Sequence, residues 1–213
     1  MPIGHSTLIA LNRAQLVSEE DAFVIYRYRQ FANHLSERAI DILDVGCNTG
    51  RGGAVLKSLL PSSHIVGLDC VPERVSCLDR NVYDSVICSF TNSIELSSGS
   101  FDAILGGEFI EHLPPTDVLP SLSEFFRLLR LRGQLLLTTP HPYFLLYRLL
   151  RSSALLDPAH VSQHTPKSLR RRLEDIGFTR IKIRGSGRVS RIFGEHFPYR
   201  ALYGSYLIKA VKW

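Results

Sequence analysis

The sequence predicts an α/β fold: a doubly wound, mostly parallel sheet of seven strands with an antiparallel edge strand. Three observations carry that prediction. Strand-length apolar runs alternate with helix-length runs from residue 39 to 140. The first apolar run ends in a glycine loop that opens a helix. The last two runs alternate apolar and polar positions, as half-exposed strands do. With 213 residues, 45% of them apolar, the chain can fill one core and not two. Residues 1–213 therefore read as one domain, with 39–140 as its ligand-binding half and 141–213 as a lid followed by the terminal strands.

Taken in order, residues 19–38 read as an amphipathic helix with acidic residues at its start and an apolar stripe of Phe23, Tyr26, Phe31 and Leu35. AIDILDVG (39–46) is a buried strand, and GGAVLKSLL (52–60) is a helix that Pro61 stops. HIVGLD (64–69) is the second strand, and PERVSCLDRN (72–81) is a helix with Pro72 in its first turn. SVICSF (85–90) and FDAILGG (101–107) are the third and fourth strands. Residues 117–133 read as a long helix closed by Gly133, followed by a fifth strand, QLLLTTP (134–140). A short helix is expected around Tyr143–Arg151. Thr165, Pro166 and Gly177 punctuate the best-marked helix, whose stripe is Leu169, Leu173 and Ile176 and whose Arg170 and Glu174 stand at i,i+4. FTRIKIRG (178–185) and SYLIKAVKW (205–213) are expected to pair antiparallel at one edge of the sheet.

Composition excludes several classes. No window of eighteen residues is free of charge, so no transmembrane helix is expected, and the first residues lack a basic-then-apolar leader. The four cysteines, at 47, 70, 77 and 88, form no CxxC pair, which suits a reducing cytoplasm. The net charge of +5 is uneven: residues 1–140 carry −5 and residues 141–213 carry +10. That split suits an anionic partner for the C-terminal third, and equally a solvated basic face.

The chemistry concentrates in DVGCNTGRGG (44–53). Gly46 and Gly50 allow a tight turn and a close approach of backbone to ligand, and helix N-terminal amides can meet polar ligand atoms. The dinucleotide fingerprint GxGxxG fails at its second glycine, and the P-loop pattern fails for want of Lys-Ser/Thr. Asp69, at the tip of the second strand, can accept hydrogen bonds from ribose hydroxyls, a position that would also suit a helix-capping acid. His160 and His164 stand at i,i+4, but no carboxylate or cysteine clusters with them, so no metal site is expected.

LDVGCNTG resembles motif I of the class I S-adenosylmethionine-dependent methyltransferases, close to LDVGCGTG, with Asn48 in place of the middle glycine. Asn adopts positive φ more readily than most residues. FDAILGGEFIEHLP (101–114), LLRLRGQLLLTTP (128–140) and HTPKSLRRRLEDIGF (164–178) resemble later segments of the same family, in particular its type 11-like members, and fall in the family's order. The resemblance implies a Rossmann-like methyltransferase fold and S-adenosyl-L-methionine as methyl donor, leaving as S-adenosyl-L-homocysteine. It implies that Gly46, Cys47, Asn48 and Gly50 frame the methionine part, with Asp44 ordering the loop. Asp69, with Cys70 beside it, would hold the ribose. Phe90 or Thr91 stands where the family often has an acid for the adenine amine, so Phe90 is expected as an apolar wall. Glu108 would lie near the reacting centre. His112 is the leading general-base candidate, with Glu111 and His141 as substitutes.

The acceptor site is expected from the N-terminal helix, residues 141–164 (Tyr143, Phe144, Tyr147, Arg148, Arg151) and the 186–204 connection (Arg188, Arg191, Phe193, His196, Tyr199, Arg200, Tyr203). Arginines around an apolar lid suit an anionic small-molecule or glycoconjugate acceptor, lipid-linked sugars included, methylated on oxygen. RNA is the alternative acceptor, motivated by the +10 tail, although no NPPY-like motif follows the fourth strand. A non-catalytic S-adenosylmethionine-binding protein is the third reading.

Overall fold

The computed structural model describes residues 3–15, 22–35, 40–145, 149 and 157–213. The strands are β1 (Asp41–Val45), β2 (His64–Asp69), β3 (Ser85–Cys88), β4 (Phe101–Gly107), β5 (Leu129–Pro140), β6 (Phe178–Ser186) and β7 (Ser205–Lys212). They form one sheet in the order β3-β2-β1-β4-β5-β7-β6. The first five pair parallel. The reversed strand, β7, lies between β5 and the edge strand β6, antiparallel to both. The helices are α1 (His5–Ala14), α2 (Ala22–Ala32), α3 (Arg51–Leu59), α4 (Pro72–Ser76), α5 (Pro115–Leu128), α6 (Pro166–Ile176) and α7 (Arg188–Phe193), with single 3-10 turns at Ile110–His112 and Arg200–Leu202.

The two-residue period of the strands sorts the core. Leu43, Val45 and Ile104 face α5 and α6, where Leu122, Phe125, Leu169 and Leu173 are fully buried. Ile42, Ala103 and Leu105 face the other side, against Phe31 of α2 and Leu56 of α3. Asp44 shares that second face, which decides its role below. Strand order reverses direction at β1 and β4, so the loops after β1, β2, β3 and β4 converge at one end of the sheet.

α6 is punctuated as its residues predict. Thr165 and Ser168 form a reciprocal capping box, and Gly177 closes the helix at φ +112°. Elsewhere the structure departs from the sequence reading. α1 lies in a stretch that gave no helix signal. The helix beginning at Pro72 ends at Ser76 and not at residue 81, because Asp79 accepts the Asn81, Val82 and Tyr83 amides in a turn that swings Tyr83 inward.

The helix expected over 117–133 ends at Leu128, and β5 begins at once. Arg130 spans Asp41 and Asp102, at 2.7 Å each, which holds this stretch along the neighbouring strands. Arg132 at φ +70° and a register shift between Phe101 and Ala103 absorb the irregularity. A Cβ on Gly133 would lie 2.8 Å from the Arg130 carbonyl, so this glycine serves a close backbone approach and not a helix end. The helix expected around Tyr143–Arg151 falls largely outside the described residues, with Tyr147, Arg148 and Arg151. So do residues 19–21 and 36–38 of the first expected helix, and the side chains of Arg188 and Arg200.

The 186–204 connection is clamped to α2. Glu195 Oε2 accepts from Gln30 Nε2 at 2.9 Å and from His34 Nε2 at 3.0 Å, and its carbonyl accepts from the Gly185 amide. Burial alone would raise the Glu195 carboxyl. The hydrogen bonds from His34 and Gln30 and the His34 and His196 charges outweigh it and hold the group at about 2. Because the folded value lies below the ordinary 4.5, the clamp's contribution is complete above about pH 4.5 and is lost as pH falls through about 2. The gap in urea midpoint between the wild type and Glu195→Gln should therefore narrow as pH is lowered across that window. A gap that stays constant would contradict the clamp.

α3 packs against α2 through glycine. A Cβ on Gly52 would stand 2.1 Å from the Tyr28 ring. Gly52→Ala should cost about 1–3 kcal/mol in chemical unfolding, since the ring is anchored by its hydrogen bond to Asp44 and would have to break it to make room.

Candidate active site

A cavity of about 340 Å³ opens at the carboxyl ends of β1, β2, β3 and β4. Gly46, Cys47, Asn48, Asp69, Cys70, Phe90, Thr91, Glu108 and His112 all line it. Asp44, Gly50, Glu111 and His141, also expected at the site, do not.

The glycine loop is shaped by positive φ. Gly46 has φ +66°, and a Cβ there would meet the Phe109 ring at 2.7 Å. Asn48 takes φ +52°, so asparagine replaces glycine at little backbone cost. Gly50 is the N-cap of α3 at φ +83° and packs against Leu78 and Tyr83, behind the cavity wall. Asp69 accepts the Asn48 amide at 3.0 Å on one oxygen and the Val71 amide at 2.9 Å on the other. A carboxylate has about four acceptor sites, so two remain for a ligand in the cavity. The Asn48 side-chain oxygen is buried with no partner and adds an acceptor.

Asp44 does not reach the cavity. Its carboxylate accepts Tyr28 Oη at 2.6 Å and Tyr83 Oη at 2.7 Å. Burial raises it to about 6 against the opposing effect of the two phenols. It supports the loop from behind. The Cys47 thiol is pushed up by burial and by Asp44, and Cys70 is pushed up to about 11 chiefly by burial, so both are neutral wall groups.

On the β3 side, Phe90 stacks on His5 of α1 with ring centroids 3.9 Å apart. Thr91 and Ser121 share a hydrogen bond between hydroxyls at 2.8 Å. Leu8 and Asn12 of α1 complete this wall, and Arg13 ties α1 to Glu73 of α4 at 2.7 Å. α1 is thus a cover over the Asp69–Phe90 side.

On the β4 side, Glu108 sits at φ +51°, with its amide held by Thr138. Its carboxylate lies 3.7 Å from the Arg27 guanidinium and accepts Ser205 Oγ at 3.1 Å. His112 Nδ1 donates to the Ala159 carbonyl at 2.9 Å, which leaves the lone pair on Nε2. Burial, and His160 beside it, lower this imidazole to about 4. Glu111 is 2% exposed, and burial and Glu108 raise its carboxyl well above the ordinary range. Neither Glu111 oxygen has a hydrogen-bond partner.

His141 is not brought to the cavity. Its Nδ1 accepts the Tyr143 amide at 3.1 Å, and its ring packs on Tyr206. His164 is turned inward as well: Nε2 donates to the Ile110 carbonyl at 3.2 Å and lies 2.8 Å from Ser162 Oγ. His160 instead meets His112 edge-on, with centroids 4.9 Å apart, so the i,i+4 pairing of His160 with His164 does not form.

A second cavity of about 460 Å³ shares Arg27 with the first and lies between α2 and residues 186–205. Arg29, His34 and Arg191 also line it. Tyr28 and Tyr83, which hold the loop from behind, escaped the sequence reading, as did His160 beside His112. The glycines at 50, 52, 53 and 67, whose missing Cβ atoms make room for the two rings, were the one local trace of the tyrosines.

A family model described as a methyltransferase domain matches residues 20–183. A malonyl-[acyl-carrier protein] O-methyltransferase of Laribacter hongkongensis (strain HLHK9) is 28% identical over 135 residues, 57% of this chain and 44% of that protein. The match thus spans less than half of that relative's length. A SAM-dependent methyltransferase from Archaeoglobus fulgidus superposes with a TM-score of 0.71 at 22% identity, over 89% of this chain and 93% of that one. The Burkholderia thailandensis 1,6-didemethyltoxoflavin-N1-methyltransferase, solved with 1,6-didemethyltoxoflavin and S-adenosylhomocysteine, superposes at 0.66 with 17% identity, over 91% and 79% of the two chains. At these identities the structures show a shared fold. The family match, falling on a chain whose glycine loop and strand-tip acid line one cavity, makes this a class I S-adenosylmethionine-dependent methyltransferase.

Proposed function

We propose that the chain, acting as one domain, transfers a methyl group to oxygen on an anionic small-molecule or glycoconjugate acceptor. The observation that carries the reading is the cavity in which the 46–48 loop, Asp69 and Phe90 stand on one side and Glu108 and His112 on the other. S-adenosylmethionine, when bound, supplies a methyl group activated by its sulfonium. The residues present fit it: Asp69 has lone pairs left for ribose hydroxyls, Asn48 offers an orphaned oxygen, and Gly46 brings bare backbone to the cavity wall beside the Phe109 ring. Cys47 and Cys70 contribute wall, Phe90 covers an aromatic base, and Thr91 is held in place by Ser121.

The protein's part in methyl transfer is alignment of acceptor, methyl carbon and leaving sulfur. His112 presents a neutral Nε2 to the cavity and can accept a hydrogen bond from an acceptor hydroxyl. A carboxylate acceptor needs no base at all, and the curated relative carries a malonyl acceptor in its name. Arg27, Arg29 and Arg191 around the adjoining cavity supply positive charge for the acceptor's anionic part. Among the described residues, no Lys or Arg after residue 140 lines the first cavity, so the basic tail reaches the acceptor only through the second. That placement favours a compact acceptor over RNA.

Isothermal calorimetry with S-adenosylhomocysteine tests the cofactor half. The wild type should bind, and Asp69→Asn should weaken binding about tenfold or more, since it converts a charged acceptor into a half-donor amide. Equal affinity in the two proteins would place the cofactor elsewhere. For the acceptor half, labelled methyl transfer to a panel of carboxylate and hydroxyl acceptors should show KM rising in Arg29→Ala, with cofactor affinity unchanged.

A further inference from the structure

The wall that separates the cavity from the core holds a cluster with metal-ligand chemistry. Glu111, His112 and His160 each present one ligand atom within 4.8 Å of the other two. Two imidazoles and one carboxylate, open on one side, form a donor set that suits divalent first-row transition ions better than magnesium or calcium. Glu111 is 2% exposed, and both of its oxygens lack a hydrogen-bond partner. A buried carboxyl in that state is costly unless something else satisfies it.

The cluster is also built, and not merely near. The 3-10 turn Ile110–His112 leaves carbonyls outside any helix, and residues 159–164 are laid across them. Val161 and Ser162 donate their amides to the Glu111 carbonyl at 3.0 Å, and His164 donates to that of Ile110. This seating fixes the register that sets His160 beside His112. The Ala159 carbonyl in turn holds His112 Nδ1–H at 2.9 Å and so directs Nε2 outward. A backbone carbonyl on the far nitrogen is the usual outer support of a metal-bound imidazole.

We infer that Glu111, His112 and His160 bind a divalent transition-metal ion at the acceptor end of the cavity, where it holds an oxygen atom of the acceptor. The ion-binding part stands on the cluster alone; the acceptor part rests on the methyl-transfer reading above. Because His112 and His160 both line the cavity, an ion on them faces the space beside Glu108; it takes up the His112 Nε2 lone pair, so in the metal-bound protein the acceptor oxygen is held by the ion and not by His112. Such an ion selects acceptors by a metal-binding oxygen, a carboxylate or a pair of neighbouring hydroxyls.

The test is metal binding by the full chain, stripped with chelator. Co²⁺, read by its visible absorption, and Zn²⁺, read by calorimetry, are the probes. One equivalent should bind to the wild type. His160→Asn and Glu111→Gln should each weaken binding about tenfold or more, while His64→Asn, at an exposed histidine, should leave it unchanged. S-adenosylhomocysteine calorimetry on the same proteins reports folding and the cofactor site separately. Its failure in the wild type would strike the methyl-transfer reading and leave the metal result standing. If Glu111→Gln does not fold, His160→Asn decides. Binding that His160→Asn leaves intact, or a wild type that takes up neither ion, overturns the proposal.

Discussion

The buried carboxylate of Asp44 is the constraint on which the rest of this site depends. An ionisable group in the last turn of a central strand faces the core because the strand's period puts it there. Left alone it would be expensive, and two phenols remove most of that cost. Tyr28 arrives from α2 and Tyr83 from the turn before β3, so one side chain fixes two parts of the fold relative to the loop. The rings need room that only glycine leaves. A Cβ on Gly52 would sit 2.1 Å from Tyr28, and one on Gly53 would sit 2.2 Å from Tyr83. The glycine-rich segment therefore answers two demands: positive φ at Gly46 and Gly50 shapes the face toward the cavity, and Gly52 and Gly53 admit the struts behind it. The loop is preorganised because both faces are specified.

A second linkage runs through the turn after β4. Its carbonyls are satisfied by residues 161–164, so the segment covering the cavity and the segment flooring it cannot move independently without exposing buried polar groups. Glu111 lies where the two meet. Glu108 and Glu111 are two carboxyls near one another in a poorly solvated place, and Arg27 answers Glu108 from α2. The same arginine borders both cavities.

The order of strands and helices was legible because each signal is local: apolar runs of strand length, a capping box at Thr165, a glycine at residue 177. The loop, Asp69 and the positive φ of Asn48 were legible for the same reason. What the sequence hid is what depends on distant partners. Tyr28 displaced Tyr26 as the inward residue of α2 because a carboxylate sixteen positions later needed a donor. His160 belongs with His112, forty-eight positions earlier, and its neighbour His164 turned into the core. Gly133 misled as a helix end because a glycine required by a close backbone approach looks the same in sequence as a glycine required by positive φ. α1 carries one buried side chain, Leu8, and so shows almost no periodic stripe.

The uneven charge shows why net charge per segment is a poor guide to where a field acts. The sheet joins the acidic body to the basic tail along one seam, where β7 of the tail pairs with β5 of the body. Lys212 of that strand donates to the Leu129 carbonyl at 2.8 Å, and Lys209 donates to the His34 carbonyl at 3.0 Å. Arg180 stands over the Trp213 ring at 4.0 Å, with Arg132 at 5.3 Å on the same ring. These cations finish carbonyls and cover aromatic surface, and none of them lines either cavity. Arg130, from the acidic part, is spent on Asp41 and Asp102. Only Arg191 among these tail cations reaches a cavity wall, over the ring of Tyr26 at 4.3 Å. The positive side chains of the second cavity, Arg27, Arg29 and Arg191, are gathered by the docking of residues 186–205 on α2, and the sum of charge over the tail does not give their position.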